Sequence, residues 1–514
     1  MVVVCVDGGV PETVSTWNFF SPRHRLPGVP DQGPVPLPTI FPSSTAPAHA
    51  SFLTGAYADV HGIVGNRFWD AEPVDEIRLR AADPVQTLHP YEAHSLTAPS
   101  LVDWFTNRDA KVVALHFPQT FSRAARDGHV PSLYCLYAPA RATRVPVGMS
   151  EQPDPHSTPL VYFDEVVPLS AVPAAGSLDA GLYLSLGGRR TYRLPVRVGE
   201  TVRLETCLAA GELSVAVTCL GVDERHVDLM LGTAVLTMRF GGLGTMGRES
   251  DGPSSLEVEY TVNSEHYFHE APRAEWICRT ALAALAEHKP DVLFVRFNQA
   301  DHAQEFLYWH AARGGGKDAR LARQQIVDTY QTIDDCLGRI MDAVGPQADY
   351  VLFSDHGIDY VETHLRPNAV LQELGLADEM IFQGDSNVAY LYADEPVSAV
   401  QRGRICAALA ATDSTIQPVD AARATSLRLP WTSPRVGRLT VTCGPHREFV
   451  YDEQGSGHET VRSASHGYLP SSPRMSGFFR MFGPNTDDIP QPSHLTSAAA
   501  VVRQLWRKRQ GRFR

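Results

Sequence analysis

Three short apolar runs in this chain end in oxygen and nitrogen donors. Val2–Val6 ends at Asp7-Gly8-Gly9, Val292–Phe297 runs into Asn298-Gln299-Ala300-Asp301-His302-Ala303-Gln304-Glu305, and Val351–Ser354 ends at Asp355-His356-Gly357. His466-Gly467 adds a further imidazole. A lone carboxylate after a strand usually caps a helix or shapes a turn. Three such ends and a histidine segment suit a shared rim, because ligands of open α/β sheets collect at the carboxyl ends of strands. Carboxylates and imidazoles without thiolates fit zinc, manganese or magnesium at a catalytic site. A second segment, Phe41 to Gly55, brackets a hydroxyl cluster (Ser43, Ser44, Thr45) with Pro42 and Pro47. Pro47 suits the first turn of a helix. Thr45 then stands at a helix N-terminus, where unpaired N–H groups and the helix dipole favour an anion. Plain N-capping by Ser44 or Thr45 accounts for the same residues.

The elements that would position these groups alternate in type. Val2–Val6, Lys111–Leu115, Val292–Phe297 and Tyr350–Phe353 are β-branched or aromatic runs bounded by turn residues. Asp318–Val344 repeats Leu321, Ile326, Ile333, Leu337 and Met341 at near-helical spacing. The alternation predicts an α/β core with a mainly parallel sheet, its strands continuously apolar because both faces are covered. Residues 136–262 read differently. Thr191–Val198, Val202–Leu208, Leu213–Leu220 and Ala234–Phe240 predict strands split by Gly, Asp and Glu, hence a β-rich inserted subdomain. The six prolines of residues 21–38 predict an extended surface loop, neither strand nor helix.

Composition narrows the function classes. The 514 residues are 43% hydrophobic and 20% charged, a soluble enzyme-sized profile of two to four domains, or one large core with an insertion, at about 100–200 residues per domain. A net charge of −13 argues against nucleic acid or an anionic membrane as partner. Six basic residues in Arg503–Arg514 read as a solvated helix end. No run reaches the roughly 18–20 apolar residues of a membrane span, and Met1–Asp7 reads as a strand, not a signal peptide. The eight cysteines are scattered without a CxxC pair, which predicts ordinary buried thiols and a cytoplasmic location.

Pro42-x-x-Thr45-x-Pro47-x-His49 followed by Thr54-Gly55-x-Tyr57-x-x-x-His61-Gly62-Ile63-x-x-Asn66 resembles the type I phosphodiesterase/nucleotide pyrophosphatase group of the alkaline phosphatase superfamily. Asp7-Gly8, Ser354-Asp355-His356-Gly357, and His466-Gly467-Tyr468 before Gly477 and Gly483-Pro484 match its other blocks in order. The resemblance spans about residues 1–70, 290–375 and 460–485. It implies an alkaline-phosphatase-like three-layer α/β sandwich. Residues 1–135 and 263–514 would form the phosphohydrolase core, and 136–262 a cap or lid.

The same resemblance implies roles. Thr45 matches the nucleophile. Asp7, Asp355 and His356, with the Thr45 oxygen, would hold one metal ion, and Asp301 and His466 would contribute to another. Asn66 matches a phosphate-contacting asparagine. One position departs: the family's Asp-x-x-x-His places Glu305 where the histidine belongs. Glu305 as a ligand, His302 swung in, an Asn298-x-x-x-His302 register and loss of that metal all remain open. A carboxylate there makes the site harder, weakening zinc's advantage over manganese or magnesium. His49 reads as a structural helix residue, and His61 as a support for the turn carrying Asn66. Phe68, just beyond Asn66, could wall the leaving group or pack in the core.

The resulting expectation is a cytoplasmic hydrolase of small phosphorylated substrates, using two divalent metal ions and a covalent phosphothreonine. Diester or phosphoanhydride cleavage is favoured over monoester cleavage, and a homodimer is left open. A phosphonate C–P hydrolase of the phosphonoacetate type and a metal-depleted binding protein are the alternatives.

Overall fold

The computed structural model describes residues 1–70, 72–81, 88–122, 130–138, 140–148, 157–187, 189–190, 195–243, 258–262, 265–269, 272–453 and 455–511. Twelve strands form its main sheet: β1 (Val2–Val6), β2 (Val35–Leu37), β3 (Val112–Leu115), β4 (Ser132–Ala138), β5 (Arg141–Pro146), β6 (Thr201–Cys207), β7 (Glu212–Val222), β8 (His226–Leu231), β9 (Ala234–Phe240), β10 (Val292–Phe297), β11 (Tyr350–Phe353) and β12 (Gly477–Phe482). Their order is β2-β12-β11-β1-β10-β3-β4-β9-β7-β8-β5, with β6 paired to β7. Strands β11, β1, β10, β3 and β4 are mutually parallel. The flanking strands are antiparallel.

Alternation along β1 builds the layers. Val2, Val4 and Val6 enter one apolar cluster with Ala274–His288 and the long helix Gly316–Val344. Met1, Val3 and Cys5 enter another with α1 (Thr45–Thr54) and the C-terminal helix Leu495–Gly511. Successive side chains of a strand point to opposite faces, so a strand covered on both sides must be apolar throughout. All five residues of β1 are buried accordingly.

Residues 136–262 contribute to the main sheet as well as forming a sheet of their own. Through β4 the sheet continues into antiparallel β9, β7, β8 and β5. Thr158–Tyr162, Glu165–Pro173, Leu182–Leu186 and Arg189–Arg190 make a separate four-stranded sheet. The expected strand 191–198 lies partly outside the described residues. The proline-rich segment 21–38 is not purely loop. Pro22–His24 forms a short 3-10 turn, and β2 pairs with β12 at the sheet edge, where missing proline N–H groups cost no ladder hydrogen bond. No disulfide joins the eight cysteines, of which six are buried and Cys207 is exposed. Among the described residues no helix is long and apolar enough to cross a membrane.

Helix α1 is seated on the sheet by stacked rings. Phe52 lies 3.7 Å from Phe353 at an interplanar angle of 4°, both fully buried. Phe52→Ala should therefore cost about 3–5 kcal/mol of stability, read from the midpoint and slope of urea unfolding; a loss below 1 kcal/mol would mean that this stack does not seat α1.

Candidate active site

Most candidate residues sit at or near the ends of regular elements. Asp7 follows β1, and Gly8 beside it adopts φ +63°. A Cβ at Gly8 would stand 2.6 Å from Asp301 Oδ1, so only glycine lets the two segments meet. Helix α2 (Gln299–Arg313) leaves β10 at Asn298 and carries Asp301 and Glu305 four residues apart, hence on one face. Asp355 and His356 follow β11. His466 follows the strand His458–Ser465. Its loop is tied to the segment that leads into Thr45: Gly467 N–H donates to Ser43 O at 2.9 Å, and Ser43 Oγ donates to Tyr468 O at 2.7 Å.

Thr45 is the first residue of α1 and is buried. Its Oγ1 lies 3.4 Å from His356 Nε2. That same nitrogen is 3.4 Å from Asp7 Oδ1 and 3.5 Å from Asp355 Oδ2. Its ring is oriented from behind, Nδ1 lying 3.0 Å from Gly357 O. The His356 and His466 rings lie against each other at an interplanar angle of 31°, with centroids 4.1 Å apart. His466 Nε2 is 3.9 Å from both Asp301 Oδ2 and Glu305 Oε1. Asp7, Asp355 and His356 form one group with metal-ligand spacing; Asp301, His356 and His466 form another.

The structure also separates the readings of the α2 segment. His302 turns toward the Tyr137 hydroxyl on β4, which also accepts from Asn298 Nδ2 at 3.4 Å. Glu305 is the α2 residue that faces His466 with Asp301. Asn66 is held over the start of α1. Its Oδ1 accepts from Ala46 N–H at 2.9 Å, and its own N–H donates to Asp385 Oδ2 at 3.0 Å. Because Pro47 has no N–H and Ala46 has spent its own on Asn66, the anion donors left at this helix mouth are the Thr45 N–H and the Asn66 Nδ2. The broader set of helix N–H donors expected from the dipole is reduced to one. Phe68 is not brought to the site: it is fully buried, with Arg435 over its ring at 4.9 Å and His89 against its edge. The apolar-wall reading is thereby corrected to core packing. His49 bonds back to Thr45 O at 2.9 Å and stands 3.2 Å from Asp355 Oδ2. His61 accepts from Ile63 N–H and joins Ser51 Oγ at 2.9 Å.

Sequence reasoning missed Arg296. Its Nε donates to Asp7 Oδ2 at 2.8 Å, its Nη2 reaches the same oxygen, and both residues are buried. A charged residue in the otherwise apolar run Val292–Phe297 was the available signal. Asp385, which fixes Asn66, had none. Together Thr45, Asn66, Arg296, Asp301, Glu305 and His466 face a cavity of about 120 Å³, closed on the far side by Tyr91 and by Tyr134–Tyr137 of β4.

Electrostatics mark this cavity as short of positive charge. Burial, and then neighbouring carboxylates, push Asp301 up to about 8. Burial raises Asp7 despite Arg296, and burial, Asp301 and Glu448 raise Glu305. For Asp355 burial acts upward, but His356 and His49 overcome it and hold the carboxyl far below the usual range. Asp7 Oδ1, Asp301 Oδ1, Asp355 Oδ2 and His466 Nδ1 are buried without a hydrogen-bond partner among the described residues. Orphaned buried donors of this kind are costly unless an ion or water meets them, and the oxygen–imidazole set fits divalent metal ions.

A model of the type I phosphodiesterase/nucleotide pyrophosphatase family matches residues 1–172 and 227–469. Among solved structures, human ectonucleotide pyrophosphatase/phosphodiesterase 5 superposes with a TM-score of 0.54 at 11% identity, covering 99% of this chain and 94% of its own. An inactive threonine-to-alanine variant of the murine protein, in complex with AMP, gives 0.52 at 12% identity, covering 99% and 94%. A phosphonoacetate hydrolase from Sinorhizobium meliloti in complex with phosphonoacetate gives 0.49 at 15% identity, covering 98% and 95%. At these identities the likeness is one of fold.

Removing Arg296 leaves Asp7 without its fixed counter-charge. Arg296→Met should destabilise the chelator-treated protein by about 3–5 kcal/mol, and zinc or manganese should restore part of the loss. Equal unfolding midpoints for mutant and parent in chelator would contradict the importance of this pair.

Proposed function

Because the chain belongs to the type I phosphodiesterase/nucleotide pyrophosphatase family, whose members hydrolyse phosphoester bonds, we propose that it cleaves phosphodiesters or phosphoanhydrides of small molecules through a covalent phosphothreonine at Thr45. The observation that carries this reading is the Thr45 hydroxyl at a helix mouth, 3.4 Å from His356 Nε2 and beside four unpartnered buried donors. The AMP held by the murine relative supports a small phosphorylated substrate.

Asp7, Asp355 and His356, with the Thr45 oxygen, would hold one divalent ion, and Asp301, Glu305 and His466 a second. Zinc is the first candidate; Glu305 in an imidazole's place makes manganese or magnesium competitive. When bound, the ions supply positive charge that favours the ionised hydroxyl and the departing oxygen. Thr45 Oγ1 attacks phosphorus in line, its bond forming as the bond to the leaving oxygen breaks opposite. Asn66 Nδ2 and the Thr45 N–H donate to the equatorial oxygens, where charge accumulates in the transition state. Water then attacks the phosphorus held on Thr45, the bond to Oγ1 breaks, and the phosphate leaves with whatever ester group it still carries, freeing the Thr45 hydroxyl. Asn66 also keeps α1 in place through Ala46, so it positions the nucleophile as well as the phosphate. Residues 136–262, read as a cap, begin where Leu136 and Tyr137 wall the cavity, which supports a part in substrate range. Eight cysteines with no disulfide among them are in keeping with a reducing compartment such as the cytoplasm.

Thr45→Ala should lower hydrolysis of bis(p-nitrophenyl) phosphate on the order of 10³-fold or more, with an unchanged unfolding midpoint. Acid quench of the wild type during turnover should leave a p-nitrophenyl phosphoryl group on the Thr45 peptide, read by mass spectrometry; retained turnover in the variant would remove Thr45 as nucleophile. Elemental analysis should find two divalent ions per chain, whereas one or none would favour a metal-depleted binding protein. Glu305→His should preserve or raise zinc-supported turnover, and a rate indifferent to added zinc would count against ligation at that position.

A further inference from the structure

An open groove of about 880 Å³ leads away from the reaction cavity and shares Asn66, Glu305 and His466 with it. Substrate bound at Thr45 has this groove as a path for whatever the phosphorus carries. Its walls are rich in ionisable groups, and nearly all of them are engaged. Asp385 takes the N–H groups of Asn66 and Ser386. Glu448 Oε1 accepts the hydroxyls of Ser386 and Ser465 at 3.0 and 2.8 Å, and its other oxygen faces His364 at 3.3 Å. Asp452 receives Arg366 at 2.8 Å, while Glu453 receives Gln372 and faces Arg78. Arg78 in turn donates to the carbonyls of Asp378 and Met380.

Arg67 is the exception. It follows Asn66 directly, lines the groove and is absent from the lining of the inner cavity. Its guanidinium has no hydrogen bond and no carboxylate within ion-pairing distance among the described residues, although Asp385, Tyr451 and Tyr91 are near enough to act on it electrostatically. Burial lowers its pKa, the direction expected of a cation whose hydration is removed and not replaced. Five N–H donors in a planar fork suit the bidentate geometry of a carboxylate or phosphate.

We infer that Arg67 is a specificity residue, binding a second anionic group of the substrate in the groove beyond the phosphorus that Thr45 attacks. The substrate class narrows to phosphodiesters or phosphoanhydrides whose groove-side portion bears its own phosphate or carboxylate. The inference rests on the function proposed above, and it extends that function from the bond cleaved to the group recognised.

The test compares 4-nitrophenyl phenyl phosphate with its 3-carboxyphenyl and 3-phosphonophenyl counterparts, on wild type and on Arg67→Met and Arg67→Lys. The wild type should favour the doubly anionic diesters by about tenfold or more in kcat/KM. Arg67→Met should bring the charged-to-neutral ratio to about one, and Arg67→Lys should restore part of it. The carboxylate and phosphonate arms distinguish which anion is preferred. Turnover without a charge preference in the wild type, or a ratio unmoved by Arg67→Met, overturns the inference while leaving the hydrolase intact. Equilibrium binding of phenyl phosphate and 3-carboxyphenyl phosphate separates the two readings. Charge-selective binding that depends on Arg67, without hydrolysis of any diester, keeps the Arg67 assignment and removes the hydrolase.

Discussion

Four carboxyl groups drawn into one poorly hydrated pocket repel each other, and the rest of this site is organised around that repulsion. Arg296 is the one arginine or lysine lining the inner cavity, and both of its contacts with Asp7 fall on a single oxygen. The other Asp7 oxygen and the Asp301 and Asp355 atoms without a hydrogen bond among the described residues have only histidines near them, His356 at 3.4 Å from Asp7 Oδ1 and His49 at 3.2 Å from Asp355 Oδ2. Burial, and then Asp7, raise Asp301 to about 8 against the pull of His356. Such a pocket is stable with its acids protonated or with cations bound, and cations between a hydroxyl and a phosphoryl group are what phosphoester hydrolysis uses.

The fold delivers these groups with little freedom. Three segments, those of Asp7, of Asp301 with Glu305, and of Asp355, leave neighbouring parallel strands at their carboxyl ends, and parallel pairing fixes their relative height, Val6 lying opposite Phe297 and Cys5 opposite Phe353. A fourth segment, carrying His466, is a loop whose hydrogen bonds run to Ser43, two residues before Thr45. Asn66 is tied at one end to α1 and at the other to Asp385. Thr45, the clustered carboxylates and imidazoles, and Asn66 are thereby tied to one another by hydrogen bonds and strand pairing, the preorganisation that the proposed reaction would use.

Much of this was readable in one dimension where local rules apply. The strands Val2–Val6, Val292–Phe297 and Tyr350–Phe353 are apolar because both faces are covered, and Thr45 opens its helix as the Pro42 and Pro47 frame indicates. Where partners come from remote segments the reading ran out. Arg296 looked like an interruption of a strand and is the counter-charge of Asp7, 289 positions away. Phe68 sits two residues from Asn66 yet turns into the core under Arg435. The proline-rich segment gained a strand because an edge position on β12 was open to it.

By itself, then, the order of residues determined which chemical groups exist, which strand ends carry them, and that a hydroxyl stands at a helix N-terminus, since periodicity, capping and turn preferences act over a few positions. Only the tertiary structure decided that Glu305 rather than His302 faces His466, that Ala46 spends its N–H on Asn66, and that Arg67 is left without a counter-ion. Those outcomes depend on distances between segments that local sequence rules do not connect, from Ala46 and Asn66 to Glu305 and His466, and such distances are set by how the layers pack.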